Sequence, residues 1–135
     1  NCSSWIVGHL AWQEQMYWLT QAQGITPAPE VNVCANGQPM STPDFNEMLA
    51  AWKVVTAAVD TFLEPLDSAA LTEHTRKRIA PHDPYKESIG TRIRRTTYHY
   101  WYHIGEAQAI RQLLGHTGVG QFVGDIGDKA PYVPE

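Results

Sequence analysis

The chain has 135 residues and a mass of 15.1 kDa, the size of one ordinary domain, so a single unit spanning 1–135 is expected. Hydrophobic residues make up 43% of it, with five Trp, six Tyr and three Phe, which is enough to build a core and excludes a disordered chain. A formal charge of -4 and a pI near 5.8 supply no basic field, so neither nucleic acid nor an acidic membrane surface is an expected partner.

No apolar stretch approaches the roughly 20 residues that a membrane-spanning helix needs. The opening NCSSWIVGHLAW has no cationic leader and carries Gly8 and His9 in its apolar run, so it does not read as a secretory signal. Two cysteines are too few for a disulfide framework, and their separation fits no zinc-finger spacing. Cys2 and Cys34 are therefore expected to be free thiols in a cytoplasmic protein.

Three long helical patterns follow, and nothing reads as a strand. The first covers about 4–22. Ser3 or Ser4 caps it, and Trp5, His9, Trp12, Met16 and Leu19 recur at helical spacing, widened by Ile6, Leu10 and Tyr17. Gly24 and Pro27 stop it. The second covers about 43–64, with Thr42 as cap, Pro43 at the favoured first position, and Asp44 complementing the dipole. Phe45, Met48, Leu49, Trp52, Val55, Val59 and Phe62 share one face, and Pro65 ends the helix.

The third pattern covers about 88–114 and terminates at Gly115. Its stripe is Ile89, Ile93, Thr96, Tyr100, His103, Ala107, Ile110 and Leu114, with Arg92, Arg94, Arg95 and Arg111 mostly off it. A short helical turn is expected around 67–71.

The connections 23–42 and 66–87 are long for a compact domain. They are expected where successive helices run parallel and the chain must cross a bundle about 30 Å long before starting again. The tail, 116–135, reads as an irregular cover. An all-α bundle with long crossovers is the resulting expectation.

The chemistry concentrates on His99 and His103. Four residues apart on one helix, they lie on one face, one turn apart, where two imidazoles can share a metal. By itself the pair equally describes two amphipathic residues at a core edge, each hydrogen-bonded to a neighbour. His9 shifts the balance, because it sits inside the apolar stripe of the first helix among Trp5, Trp12 and Met16 and should point inward. A lone inward histidine is usually a satisfied core residue, whereas three neutral imidazoles form a site with coordination positions left open.

WIVGHLAWQEQ, taken with HYWYHIGEAQAIRQLLGH, resembles the DinB-like superfamily. The resemblance implies a four-helix bundle of up-down-down-up topology with a three-histidine metal site, which here would be His9, His99 and His103. Relatives in that superfamily include bacillithiol- and mycothiol-dependent transferases and maleylpyruvate isomerase. Glu106 stands where relatives often carry Gln and would orient a ligating imidazole. The family's first helix has no counterpart before Asn1. The expectation is that a fourth helix comes from residues preceding Asn1 or from a second copy in a homodimer.

Other candidates carry weaker signals. Gln13 could support a bound water, although a solvated helix face is the simpler role for Gln13 and Glu14. Tyr98, Tyr100, Trp101 and Tyr102 are chiefly packing, with one hydroxyl available to line a pocket. Arg76, Lys77 and Arg78 form a run that is either simply solvated or holds the carboxylates of a thiol cofactor. His82 and His116 read as surface residues.

The function implied is that of a metal-dependent low-molecular-weight-thiol S-transferase, or a related isomerase or hydrolase. It would use zinc or nickel, a small thiol and a small-molecule electrophile, and its metal binding would weaken below about pH 6 as imidazoles protonate. The alternative is a non-catalytic, stress-related helical module whose histidine cluster is structural or vestigial.

Overall fold

The computed structural model describes residues 2–74, 87–120 and 124–133. Among them are helices and no strand, as the patterning implies. In chain order, α1 (Ser3–Glu14) runs into a π-helical segment (Gln15–Gln21), and a 3-10 helix (Pro29–Cys34) lies in the first crossover. Then come α2 (Phe45–Leu63), a 3-10 turn (Ala70–Thr72), α3 (Ile89–Leu113) and the single turn α4 (Ile126–Lys129). No helix among these residues is long and apolar enough to cross a membrane.

The helix starts show which side chains act as caps. Asp44 caps α2, its carboxylate accepting the Glu47 N–H at 2.9 Å, so the cap falls two residues beyond the expected Thr42. A carboxylate both satisfies an orphan N–H and complements the helix dipole, which a threonine hydroxyl does not. Ser88 caps α3 by accepting the Thr91 N–H at 3.2 Å. At its far end Gly115, with φ of 76°, lets the chain turn back so that the His116 N–H reaches the Arg111 carbonyl.

The first helix departs from expectation halfway along. From Gln15 it widens into π geometry, and it closes where the Gly24 N–H reaches the Thr20 carbonyl and the Ile25 N–H reaches that of Leu19. This rephases the buried face. Trp18 and Leu19 are fully buried, while Met16 and Tyr17 are only half-buried. Gln15 is buried as well and clamps the crossover, donating to the Ala28 carbonyl at 3.0 Å and accepting its N–H at 2.8 Å.

The core assembles from Ala11, Trp18, Leu19, Val31, Cys34, Met48, Val55 and Val59, with Ile89 as the contribution of α3. Each large apolar side chain buried this way contributes roughly 1.5–3 kcal/mol. α1 packs chiefly on α2 and on the first 3-10 helix, which makes the first crossover part of the core rather than an irregular strap. Gly8 sits at a close approach of these elements. A Cβ placed there would stand 2.6 Å from both Cys34 Sγ and Met48 Sδ, so any larger residue must push the crossover outward.

α3 is held less deeply. Its buried residues are Ile89, Arg92 and His103, and its last turn is exposed, with Leu114 at 68% although the periodicity had placed it on the buried stripe. Arg92, expected off that stripe, is instead buried, donating to Gln21 Oε1 at 2.7 Å with its guanidinium 5.0 Å from the centre of the Tyr17 ring. The described part of the tail is almost wholly exposed and meets α3 where Gln108 donates to the Gly120 carbonyl at 3.3 Å. An apolar groove of about 270 Å³ runs between α1, α2 and α3, walled by Ile6, Leu10, Leu49, Trp52, Ile104 and Ala107.

Candidate metal centre

α1 and α3 bring His9, His99 and His103 together, and one ligand-capable atom from each lies within 4.8 Å of the other two. The ring centres are 5.0 Å apart for His9 and His99, 5.1 Å for His9 and His103, and 4.5 Å for His99 and His103. All three pairs meet edge to face, so the nitrogens converge while the ring faces do not stack on one another.

Each imidazole is held from a different direction. The His9 ring is stacked between Trp5, 4.5 Å away at 12°, and Trp12, 5.4 Å away at 24°. Its Nδ1 donates to the Cys34 carbonyl at 2.7 Å, which leaves Nε2 with its lone pair facing the cluster. His103 Nδ1 pairs with Glu106 Oε2 at 2.6 Å, so the residue expected to orient an imidazole does contact one. His99 Nε2 lies 2.9 Å from His103 Nε2, and its buried Nδ1 has no hydrogen-bond partner among the described residues.

This donor set fits a divalent cation. Two of the three imidazoles have Nδ1 fixed by an acceptor, the arrangement that orients ligating histidines and selects the tautomer with Nε2 free. The unpartnered Nδ1 of His99 can take the proton that its Nε2 must lose to become a ligand. Three nitrogen ligands leave room for water or substrate, and imidazole suits zinc and nickel alike.

Burial disfavours the protonated form of two of these groups, His99 and His9. It pushes His99 down to about 4, reinforced by the neighbouring His103 and His9. His9 is also lowered, again mainly by burial and partly opposed by its bond to the Cys34 carbonyl. Because folded His99 stays unprotonated while an unfolded imidazole titrates near 6.5, the metal-free protein should lose stability as the pH falls through that interval and be insensitive above it. Competition by protons at His99 and His9 should likewise set in at a lower pH than free imidazoles suggest. Zinc titrations across pH 4–8 check this: an onset no lower than for free imidazoles contradicts the burial argument, and affinity unchanged at pH 4 points to carboxylate ligands.

Gln13 and Glu14 do not form a solvated face. Both are 7% exposed. Glu14 accepts the hydroxyl proton of Tyr100, which in turn accepts the Trp52 indole N–H at 2.7 Å, so one buried network ties α1, α2 and α3 together beside the cluster. Burial raises the Glu14 carboxyl and the Tyr100 hydroxyl alike. Gln13 lines a cavity of about 520 Å³ that reaches His99, and its Oε1 is unpartnered among the described residues. Tyr98 also lines that cavity, whereas Tyr100 and His103 line the apolar groove.

The remaining candidates are not among the residues the structure brings to the cluster, as far as they are described. Arg76, Lys77, Arg78 and His82 lie outside the described residues, and His116 is exposed at the end of α3. Both cysteines are free; burial pushes the Cys34 thiol up to about 11, so this residue contributes its carbonyl rather than a nucleophile. Sequence reasoning missed Tyr17, Thr91 and Arg94, which share the larger cavity with His99. The spacing of Thr91, Arg94, Tyr98 and His99 along one helix face was the available signal.

Neither the curated proteins nor the solved structures contain a match to the chain. A family model described as the DinB superfamily matches residues 4–107. That span opens in the first turn of α1 and closes just beyond Glu106, so the whole histidine cluster and its supporting contacts fall inside it. With most of its length matched, the chain belongs to the DinB superfamily.

Proposed function

We propose that this chain is a divalent-metal-dependent transferase acting on a low-molecular-weight thiol, with His9, His99 and His103 as the ligands. The observation that carries the reading is the convergence of three imidazole nitrogens from two helices, two of the rings fixed from behind by Cys34 and Glu106. A bound zinc or nickel ion would lower the pKa of a coordinated thiol or water and so supply a nucleophile at neutral pH.

The chain's own residues do the rest. Trp5 and Trp12 fix the His9 ring and exclude water from its faces. Tyr102, whose ring packs 5.0 Å from that of His103, extends an aromatic wall against which an electrophile can lie. The transferred sulfur would form a bond to the electrophilic carbon as the leaving group departs, the thiol proton passing to water.

A second reading has its own support. His99 and His103 already hydrogen-bond through Nε2, and His9 is stacked and held through Nδ1, so the cluster could serve as a metal-free polar pin between α1 and α3. Metal analysis of untagged protein separates the two. About one equivalent per chain supports the centre, while less than a tenth, with no uptake on titration, removes it. Thiol consumption against a chloronitrobenzene electrophile, measured with and without zinc, then tests the transfer itself.

A further inference from the structure

The half of α3 that carries His99 and His103 is not located by the apolar core. Among the described residues that core takes one buried side chain from α3, Ile89, and His103 stands about 20 Å further along the helix. A slide of α3 along its axis would move both of its imidazoles relative to His9, whose own ring is fixed by Trp5, Trp12 and the Cys34 carbonyl.

A buried polar bond opposes that slide. Glu14, the last residue of α1, accepts the hydroxyl proton of Tyr100, which falls between the two histidines in α3. The Trp52 indole N–H reaches the same hydroxyl oxygen from α2 at 2.7 Å and so leaves the hydroxyl proton to Glu14. Glu14 is 7% exposed, and the Tyr100 ring lines the wholly apolar groove. A carboxyl is a costly way to fill such a place, since apolar side chains of similar volume usually stabilise as much or more. What a directional bond adds is registry: it forms at one setting of two helices and is lost at others.

We propose that Glu14, through Tyr100, is a positioning residue for the metal centre: it fixes the register of α3 against α1 and thereby the separation of His9 from His99 and His103. This deepens the metal-centre reading and rests on it.

Zinc titration of variants, with cobalt as a coloured stand-in, tests the role. Glu14→Gln keeps an acceptor for Tyr100 and should bind zinc as the unaltered chain does. Glu14→Met fills a similar volume with neither acceptor nor charge, so the fold should hold, yet zinc affinity should fall about tenfold, the lower end of what loss of a supporting bond costs a metal site. Tyr100→Phe removes the same bond from the other side and should match Glu14→Met, and combining the two should add nothing further. Should Tyr100→Phe fail to fold, because it leaves the carboxyl without its donor, Glu14→Met decides alone. The visible cobalt spectrum should change in Glu14→Met and stay unaltered in Glu14→Gln. Val55→Ala, a core change remote from this bond, should lower stability and leave zinc affinity as it was.

Zinc bound equally by the unaltered chain and Glu14→Met overturns the proposal and leaves the metal centre standing. An equal loss in Glu14→Gln also overturns it, since the charge and not the bond would then matter. A chain that takes up no zinc in any form removes the metal centre and this role with it.

Discussion

His103→Ala should abolish stoichiometric zinc binding while leaving the helical content intact. Removing one of three nitrogen ligands forfeits about 3–4 kcal/mol, a loss of a few hundredfold in affinity. The change should be clean because α3 does not depend on this side chain for its formation: Ser88 caps its start and Gly115 permits its closing turn. Alanine, moreover, is a better helix former than histidine. His99→Ala should behave in the same way, while His116→Ala, exposed and outside the cluster, should be silent. Full zinc occupancy in either ligand variant, read by metal analysis beside far-ultraviolet circular dichroism, would show that the cluster is not the binding site.

The largest effect on stability is expected at Trp18, which is fully buried in the π segment with its ring 6.3 Å from that of Phe62. Trp18→Ala should cost about 3–5 kcal/mol through lost transfer energy and the cavity left behind, a large share of the roughly 5–15 kcal/mol that holds a domain folded. Trp18→Phe is the informative companion. The indole N–H has no hydrogen-bond partner among the described residues, so deleting it forfeits no bond, and only the volume change remains. Urea denaturation should therefore place the phenylalanine variant much nearer the unaltered protein than the alanine one. Equal losses would mean that the indole nitrogen matters after all.

The sequence made the helices legible because their ends carry local chemistry. Ser88, Asp44 and the glycines at 24 and 115 act on their own neighbours, and apolar repeats at 3.6 residues identify the faces of α2 and of the first half of α3. The interior of the first helix was not legible in that way. Periodicity assumes a constant turn, and a π segment breaks the assumption within one helix. Met16 and Tyr17 therefore stood in the expected stripe while Gln15 and Trp18 took the buried positions. Arg92 escaped for a different reason, since a guanidinium buries readily once Gln21 and the Tyr17 ring receive it, and neither contact is visible from spacing.

The histidine cluster was readable from three residues and a resemblance, because imidazole is scarce and a four-residue interval on a helix is geometrically definite. What supports His9 was hidden. Its partner is a backbone carbonyl, and every residue has one; only the path of the crossover brings that of Cys34 within reach. The path in turn depends on Gln15 gripping Ala28 and on Gly8 admitting Cys34 and Met48, contacts that run across the chain rather than along it.

The widened turn after Glu14 also bears on how the chain tolerates changes in length. In an α-helix each residue advances the side chains by about 100° around the axis, so a surplus residue absorbed in a wider turn rotates everything beyond it relative to what came before. His9 lies before that offset and Trp18 within it. Dropping a single residue between 15 and 21 would let the helix relax to uniform winding without breaking it, yet would swing the imidazole by about a quarter-turn or more against the core that anchors the helix. The aim of His9 toward α3 is in this sense a matter of counting: it depends on how many residues the stretch contains as much as on which ones they are.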